Sequence, residues 1–351
     1  MQHYVLGDVI TEISERENNP SNTKYERFVG LEHYVSGEVE IENYGSTANL
    51  NSAMKVFNSG DILVARRNVY LKRASVVYFD GLTSGDSIVL RPKNETIGRI
   101  LPFILNTDDF WDYADQYSDG TMSKRLSPKV LKQYEFDLPD DNLEQLADIL
   151  WAMVDVKKSY QCLLKQTDEL VKSQFIEMFG TIESEGIFPR KEWSEVLSII
   201  NGKDYRKIEV KTGGYPVYGS GGYMARASEF LCPANTVVVG RKGTINNPLL
   251  IKEEFWNVDT AFGLVSGPEI NPVYLHWFCL QFDFTTLNKA TTLPSTTKSD
   301  LLKLKMNVPP IDSQNQFEKF VEQSDKSKFE LKQAIEGVDI LIKSMLQQEL
   351  N

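Results

Sequence analysis

One segment of the sequence occurs twice, with a constant offset of 170 residues. Residues 121–139 read TMSKRLSPKVLKQYEFDLP, and residues 291–311 read TTLPSTTKSDLLKLKMNVPPI. The matched positions are Thr121 with Thr291, Leu131 with Leu301, Tyr134 with Leu304, Phe136 with Met306, Leu138 with Val308, and Pro139 with Pro309. Because the offset is about half of the 351-residue chain, the repeat predicts two related structural units.

A long helical pattern follows each copy of the repeat. Its apolar residues recur at steps of three and four, a spacing typical of a coiled-coil seam. The predicted seam positions are Leu143, Leu146, Leu150, Met153, Tyr160, Leu164 and Val171 in the first helix, and Phe317, Val321, Leu331, Ile335, Val338 and Ile342 in the second. Polar residues at Lys157, Thr167, Gln174, Ser324 and Lys328 would lower stability but fix the register.

The two helical patterns also match each other. TDELVKSQF (167–175) aligns with VDILIKSML (338–346) at an offset of 171. Each helix would be about 50 Å long at 1.5 Å per residue, and a lone helix of this kind cannot bury its seam. We therefore expect the two helices to pair. The alternative is two ordinary amphipathic helices, each packed on its own globular core.

The regions before the two helices have a different composition. Residues 1–138 and 187–310 contain short β-branched and aromatic runs separated by Gly, Asn and Pro, a pattern that predicts compact mixed α/β domains. The predicted order is domain (1–138), spacer helix (139–180), domain (187–310) and spacer helix (311–350). If the helices pair antiparallel in a coiled coil, the two similar α/β domains lie in inverted orientation at its ends.

Side chains that carry catalysis or bind metals are scattered along the sequence. The histidines and cysteines are His3, His33, His276, Cys162, Cys232 and Cys279, with no ligand or triad spacing. The glycine-rich run 218–223 lacks the Gly-Lys-Ser/Thr end of a phosphate-binding loop. We therefore expect no catalytic residue, metal site or cofactor site in this chain.

Membrane signals are also missing from the sequence. No uninterrupted apolar run reaches membrane-spanning length, and the N-terminal MQHYVLGDVITEISE lacks the basic and then apolar profile of a signal peptide. We expect a cytoplasmic protein without a membrane partner.

Basic turns are the better candidates for function. Arg and Lys neutralise phosphates, Arg and Asn hydrogen-bond base edges, and tyrosines add contact area in a groove. A buried-type strand runs into a basic turn in both halves, at residues 61–66 and 236–241. The candidate DNA-binding residues are Arg66, Arg67, Asn68, Lys72, Arg73, Lys124, Arg125, Tyr218, Tyr223, Arg241, Lys242, Asn246, Lys289 and Lys298.

The net charge of −11 argues against strong DNA binding by the chain alone. Part of the acidity lies in the two helices, while residues 181–310 carry 14 Lys and Arg against 13 Asp and Glu. Two other classes of function therefore stay open. One is a two-headed coiled-coil adaptor that binds proteins, and the other is a methyltransferase or endonuclease that acts without partners.

The sequence resembles the specificity (S) subunits of type I restriction-modification systems. The resemblance covers the order of the whole chain, and it is sharpest in the second half. There, Leu293-Pro294-Ser295 and the run 308–314 (VPPIDSQ) resemble that family's entry into a spacer helix, and residues 237–265 resemble its recognition-domain core. The first half departs from the pattern, because it lacks the Leu-Pro-Ser piece and reads PDDNLEQ at 139–145.

This resemblance implies a subunit that binds double-stranded DNA and has no catalytic activity. Each domain would read one half of a split target, and the helices would set the gap between the halves. The partners implied are methyltransferase (M) subunits and restriction (R) subunits. S-adenosylmethionine, ATP and Mg²⁺ would be bound by those partners and not by this chain.

Overall fold

A computed structural model describes residues 1–120, 123–139, 141–184, 186–287 and 295–349. The prediction of a mixed helix and sheet structure is confirmed. The chain divides into two compact units, of which unit 1 comprises Met1–Ser159 and Ala334–Asn351 and unit 2 comprises Tyr160–Gln333. Each unit thus contains part of both long helices, although the sequence pattern set those helices apart from the domains.

Unit 1 contains short strands, short helices and part of one long helix. Its strands are β1 (Gln2–Val5), β2 (Ile10–Ile13), β3 (Arg16–Glu17), β4 (Arg27–Val29), β5 (Gly45–Ser46), β6 (Met54–Phe57), β7 (Ile62–Ala65), β8 (Ala74–Val76), β9 (Gly81–Thr83), β10 (Ser87–Pro92) and β11 (Glu135–Leu138). Its helices are α1 (Leu6–Val9), α2 (Glu95–Ile104), α3 (Asp108–Tyr117), α4 (Pro128–Lys132) and the first part of α5 (Leu143–Phe179). The 3₁₀ turns are Pro20–Asn22, Leu31–His33 and Val69–Leu71.

Unit 2 repeats this order with different loops. Its strands are β12 (Arg190–Glu192), β13 (Leu197–Asn201), β14 (Glu209–Val210), β15 (Tyr215–Gly219), β16 (Gly222–Ala227), β17 (Thr236–Gly240), β18 (Leu249–Ile251), β19 (Trp256–Asn257), β20 (Ala261–Ser266) and β21 (Lys305–Asn307). Its helices are the second part of α5, α6 (Trp193–Val196), α7 (Pro272–Gln281), α8 (Lys298–Leu302) and α9 (Ile311–Glu349), whose end belongs to unit 1. Phe284–Leu287 forms a 3₁₀ turn.

The central sheets of the two units have the same topology. The strand order is β2-β10-β7-β8 in unit 1 and β13-β20-β17-β18 in unit 2, antiparallel throughout. A two-stranded ribbon accompanies each sheet, β1-β11 and β12-β21. The remaining sheets differ between the units, with orders β3-β6-β9-β4-β5 and β14-β16-β15-β19.

The repeated segment forms the same local structure in both units. The helix N-caps are Ser127 and Thr297, and the hydroxyl oxygen of each accepts a hydrogen bond from the backbone N–H group three residues later. Leu131 and Leu301, the matched residues in those helices, are fully buried. Burying a leucine side chain stabilises the fold by about 1.5–3 kcal/mol, so the repeat preserves an anchor of each core.

The long helices pack on each other within each unit. In unit 1, Leu150 and Val154 of α5 share a buried cluster with Leu346 of α9. In unit 2, the ring of Phe317 on α9 lies 5.4 Å from Phe175 and 5.6 Å from Phe179 on α5, measured between centroids. The predicted seam positions from Leu143 to Ile342 are all buried or partly buried.

Candidate nucleic-acid interface

The basic turn of unit 1 joins two distant segments of the sequence. Strand β7 is buried and ends at Ala65, and the chain then turns through Arg66, Arg67 and Asn68. The Leu126 N–H donates to the Arg66 carbonyl at 2.8 Å, and the Asn68 N–H donates to the Lys124 carbonyl at 3.0 Å. These bonds bring Lys124 and Arg125 beside the turn. Asn68 has φ 57°, a left-handed conformation that asparagine tolerates better than most residues.

A single carboxylate faces two exposed arginines at this turn. Asp86 accepts a hydrogen bond from Arg125 at 2.8 Å and lies 3.6 Å from the Arg67 guanidinium. The side chains of Arg67 and Arg125 are 46% and 44% exposed. Two positive charges thus share one negative charge at the surface, which leaves an excess that a phosphate can neutralise.

Other basic residues of unit 1 are held by protein groups. Lys72 pairs with Asp108 and Lys124 pairs with Asp115, both at 2.5 Å, and the pKa of Asp108 is lowered because Lys72 hydrogen-bonds its carboxylate. The Arg73 guanidinium donates to two backbone carbonyls within the unit. These three cations thus stabilise the turn through contacts within the protein.

Unit 2 builds its basic turn in the same way. Strand β17 is fully buried, and Arg241 and Lys242 follow it as exposed residues. Thr296 fixes the turn, because its N–H donates to the Arg241 carbonyl and its hydroxyl donates to the Gly240 carbonyl, both at 3.0 Å. A Cβ at Gly240 would lie 2.1 Å from the Thr244 carbonyl oxygen, so the turn is tighter than any other residue permits.

An aromatic hairpin lies beside the basic turn of unit 2. Strands β15 and β16 place Tyr218 opposite Tyr223, with ring centroids 6.1 Å apart. Tyr223 is 58% exposed, whereas partial burial raises the pKa of Tyr218 and keeps its hydroxyl protonated. The Ser220 hydroxyl in the hairpin turn donates to the Lys242 carbonyl at 3.4 Å. Two tyrosines and two cations therefore share one surface.

The remaining candidates in unit 2 have mainly internal contacts. The Asn246 amide donates to Asp283 at 2.7 Å and accepts from the Phe284 N–H at 2.8 Å, so both of its polar atoms are occupied. Lys298 donates to the Ile199 carbonyl at 2.6 Å. Lys289 lies outside the described residues. Asn246 and Lys298 therefore support the fold around the turn.

The sequence analysis did not identify two residues that lie at the candidate interface. Asp86 is separated from the basic turn by about twenty residues, and only the strand pairing brings it there. Tyr70 is 67% exposed in the 3₁₀ turn between the basic pairs of unit 1. Tyr70 lies in the run RRNVYLKR (66–73), where an aromatic residue stands between cations. This pattern could have identified it from the sequence.

Groups with reactive side chains are mostly buried and separated. Burial raises the pKa of Cys232 to about 12 and also raises the pKa of Cys279, while Cys162 is exposed. Among the residues that the structure describes, no group of three His, Cys, Asp or Glu side chains is arranged to hold a metal ion. Within the same ranges, every helix is too short or too polar to cross a lipid bilayer.

Comparison with known proteins places these features in a family. The family model of the type I restriction modification DNA specificity domain matches residues 190–337, which include both the basic turn and the aromatic hairpin of unit 2. A search of curated proteins found no match.

Solved structures of type I systems share the fold. A chain from work on complex assembly and conformational transition of the type I R-M system matches with a TM-score of 0.61 at 17% identity, covering 100% of this chain and 97% of that one. The S subunit of a type I restriction-modification system from M. genitalium matches with a TM-score of 0.59 at 14% identity, covering 100% and 96%. The predicted resemblance is confirmed. Residues 190–337 therefore match a type I restriction modification DNA specificity domain, and the chain as a whole shares the fold of these solved structures.

Proposed function

We propose that this chain recognises a bipartite DNA target for a type I restriction-modification system, and that each unit reads one half of the target. The DNA specificity domain match over unit 2 carries this proposal. Unit 1 supports it, because its basic turn is built on an equivalent strand by equivalent backbone hydrogen bonds. We place the activity in the cytoplasm, where chromosomal DNA is accessible.

We propose that the two long helices pair antiparallel, and two ion pairs support this pairing. Lys157 of α5 donates to Asp339 of α9 at 2.7 Å in unit 1, and Lys328 of α9 donates to Asp168 of α5 at 3.1 Å in unit 2. The sequence offset of 171 converts one pair into the other, because it takes Lys157 to Lys328 and Asp168 to Asp339. This exchange of roles is expected when two helices with related sequences pair antiparallel.

We propose that the paired helices set the distance between the half-sites. A coiled coil about 50 Å long corresponds to roughly 15 base pairs at about 3.4 Å per pair. Inserting one helical turn into either spacer helix should lengthen the tolerated gap in the DNA target. Genome-wide mapping of methylated adenines measures the gap, and an unchanged gap after such an insertion would argue against this role.

An exposed apolar stripe on α5 supports recruitment of methyltransferase subunits. Ile149, Val156, Leu163 and Leu170 follow each other at intervals of seven residues, and they are 37%, 43%, 44% and 54% exposed. A heptad repeat on the solvent side of a helix already buried along its other seam is a surface suited to a further helix. We propose that M subunits pack here and supply S-adenosylmethionine chemistry. Restriction subunits with ATP and Mg²⁺ then join, and this chain takes no catalytic part.

The decisive experiment expresses the chain with its cognate methyltransferase and maps modified adenines. A split motif is expected, and replacing Arg67 or Arg241 with alanine should relax or abolish recognition of one half only. Arg99→Ala is the matched control, because Arg99 is a partly exposed cation that pairs with Asp148 on α5, away from the turns. If the complex does not bind DNA in a sequence-selective way, the chain is better explained as a protein-binding adaptor.

A further inference from the structure

The two central sheets have an equivalent edge strand, which, among the described residues, is covered by another segment in unit 1 but not in unit 2. In unit 1, strand β8 lies at the edge of the sheet, and a separate segment covers it. The Val76 N–H donates to the Val39 carbonyl at 2.8 Å, and the Ile41 N–H donates to the Val76 carbonyl at 3.0 Å. Glu40 thereby forms a parallel bridge with Val76. Residues 38–42 act as an added strand on this edge.

The added segment EVEIE (38–42) alternates between the core and α5. Its apolar residues Val39 and Ile41 are buried. Its acidic residues face lysines of the helix, since Glu38 lies 2.8 Å from Lys157 and Glu40 lies 2.7 Å from Lys158. Main-chain pairing, apolar burial and ion pairing thus all hold this segment between β8 and the helix.

Unit 2 has the same edge without a cover. Strand β18 pairs with β17, and no other segment of the described chain pairs with its outer side. Beside it runs an open groove of about 710 Å³ between β18, α7 and the long helices. Leu249 and Leu250 of the strand are partly buried there, and Leu280 of α7 is 46% exposed. An uncovered strand with an apolar flank is the kind of edge to which another chain adds a strand.

The charges of this groove differ from those in unit 1. Lys328, the counterpart of Lys157, already pairs with Asp168 and Asp325 of the helices, at 3.1 and 2.8 Å. The counterpart of Lys158 at the offset of 171 is Phe329, which is 60% exposed. An acidic segment like EVEIE would therefore lack the pair of adjacent lysines that holds it in unit 1. The groove also carries Glu169 and Glu322 against Lys172 and Lys252, so its whole lining has four carboxylates and three lysines.

We propose that an extended segment of the methyltransferase subunit adds as a strand along β18 and fills this groove. This inference rests on the proposed function. The occupant would alternate apolar residues with neutral or basic ones, in contrast to the acidic segment of unit 1. Continuity with the apolar stripe favours this partner, because the groove residue Glu169 is next to Leu170 of that stripe.

Hydrogen exchange tests the strand addition directly. The amides of residues 249–252 that point away from β17 should exchange about tenfold more slowly in the complex with the methyltransferase subunit than in the chain alone, because added main-chain hydrogen bonds protect an edge. Leu280→Glu should weaken binding of that subunit by about tenfold, since it places a further carboxylate in an apolar, already acidic groove. Met224→Glu is the matched control, because Met224 is an exposed apolar residue of unit 2 that does not line the groove. It should bind as the unchanged chain does.

The outcomes separate this inference from the proposed function. If the unchanged chain binds methyltransferase subunits and the amides of residues 249–252 stay unprotected, only the strand addition is overturned. If it binds none, both proposals fail. Protection that appears in the chain alone and grows with its concentration would identify a second copy as the occupant, and that result also overturns the inference. Equal binding by the Leu280 and Met224 variants would do the same.

Discussion

Replacing Lys157 with methionine should destabilise unit 1 far more than the equivalent change at Lys328 destabilises unit 2. The Lys157 side chain is 9% exposed and lies 2.8 Å from Glu38 and 2.7 Å from Asp339. Burial alone would lower the pKa of Lys157, but the hydrogen bonds that its ammonium group donates to Asp339 and Glu38 outweigh burial and raise the pKa above its usual range. The ammonium group is therefore charged and paired at neutral pH.

The magnitude follows from the exposure of the groups left behind. Removing one partner of a fully buried ion pair costs about 3–5 kcal/mol, but Glu38 and Asp339 are 27% and 45% exposed and regain some water. We expect a loss of about 2 kcal/mol for Lys157→Met, whose apolar chain still fills the seam. At Lys328, the partner carboxylates are 64% and 52% exposed, and a pair of that kind contributes about 0.5 kcal/mol.

Local hydrogen exchange measures both losses, because a chain with two units need not unfold in a single step. Lys157→Met should speed exchange of the protected amides in 334–346 by roughly thirtyfold, since 1.4 kcal/mol corresponds to a factor of ten. Lys328→Met, the matched control from the repeat, should change the protected amides in 317–333 by about two- to threefold. Equal effects of the two substitutions, or a small effect at Lys157, would refute this account of the buried ion pair.

Three further changes test the turns and the groove. Asp86→Asn should tighten DNA binding by the complex and steepen its salt dependence, because it frees the two arginines that share this carboxylate, and titration at several salt concentrations measures both. His276→Phe should flatten the pH dependence of unit 2 stability between about pH 7 and 5, which urea unfolding measures. Burial lowers the pKa of His276, so in this range the folded state binds fewer protons than the unfolded state. The unchanged protein therefore loses stability as the pH falls, and the phenylalanine variant should not lose this contribution. Gly240→Ala should remove recognition of one half-site in the methylome, because its Cβ would lie 2.1 Å from the Thr244 carbonyl oxygen.

The sequence predicts the long helices and the repeated core positions well, because buried residues recur with a regular period and in both copies of the repeat. The seam residues are buried or partly buried. The matched residues Leu131 and Leu301 lie in equivalent helices and are fully buried. The boundaries of the units were harder to predict from the sequence. Each unit includes part of both long helices, and contacts between residues far apart in the sequence define these boundaries.

The candidate interface was harder to predict, because charge alone does not show which cations have partners. Lys72, Arg73 and Asn246 were predicted to contact DNA, and the structure shows that each of them also makes a polar contact within the protein. Only the pairing of β7 with β10 brings Asp86 to the arginine turn. Long-range pairing of this kind leaves no local pattern in a single sequence.

The same strand pairing gives the two basic turns different charge compensation. The Arg66 N–H donates to the Asp86 carbonyl at 2.9 Å, and the Arg241 N–H donates to the Thr260 carbonyl at 2.8 Å, so Asp86 and Thr260 occupy equivalent positions. The backbone of the two turns is thus held alike, but a carboxylate compensates the cations in unit 1 and a threonine cannot do so in unit 2. Loops that change their side chains on a constant hydrogen-bonded frame can change specificity without disturbing the core. If both turns contact phosphates as proposed, unit 2 should supply the larger share of the salt-dependent affinity.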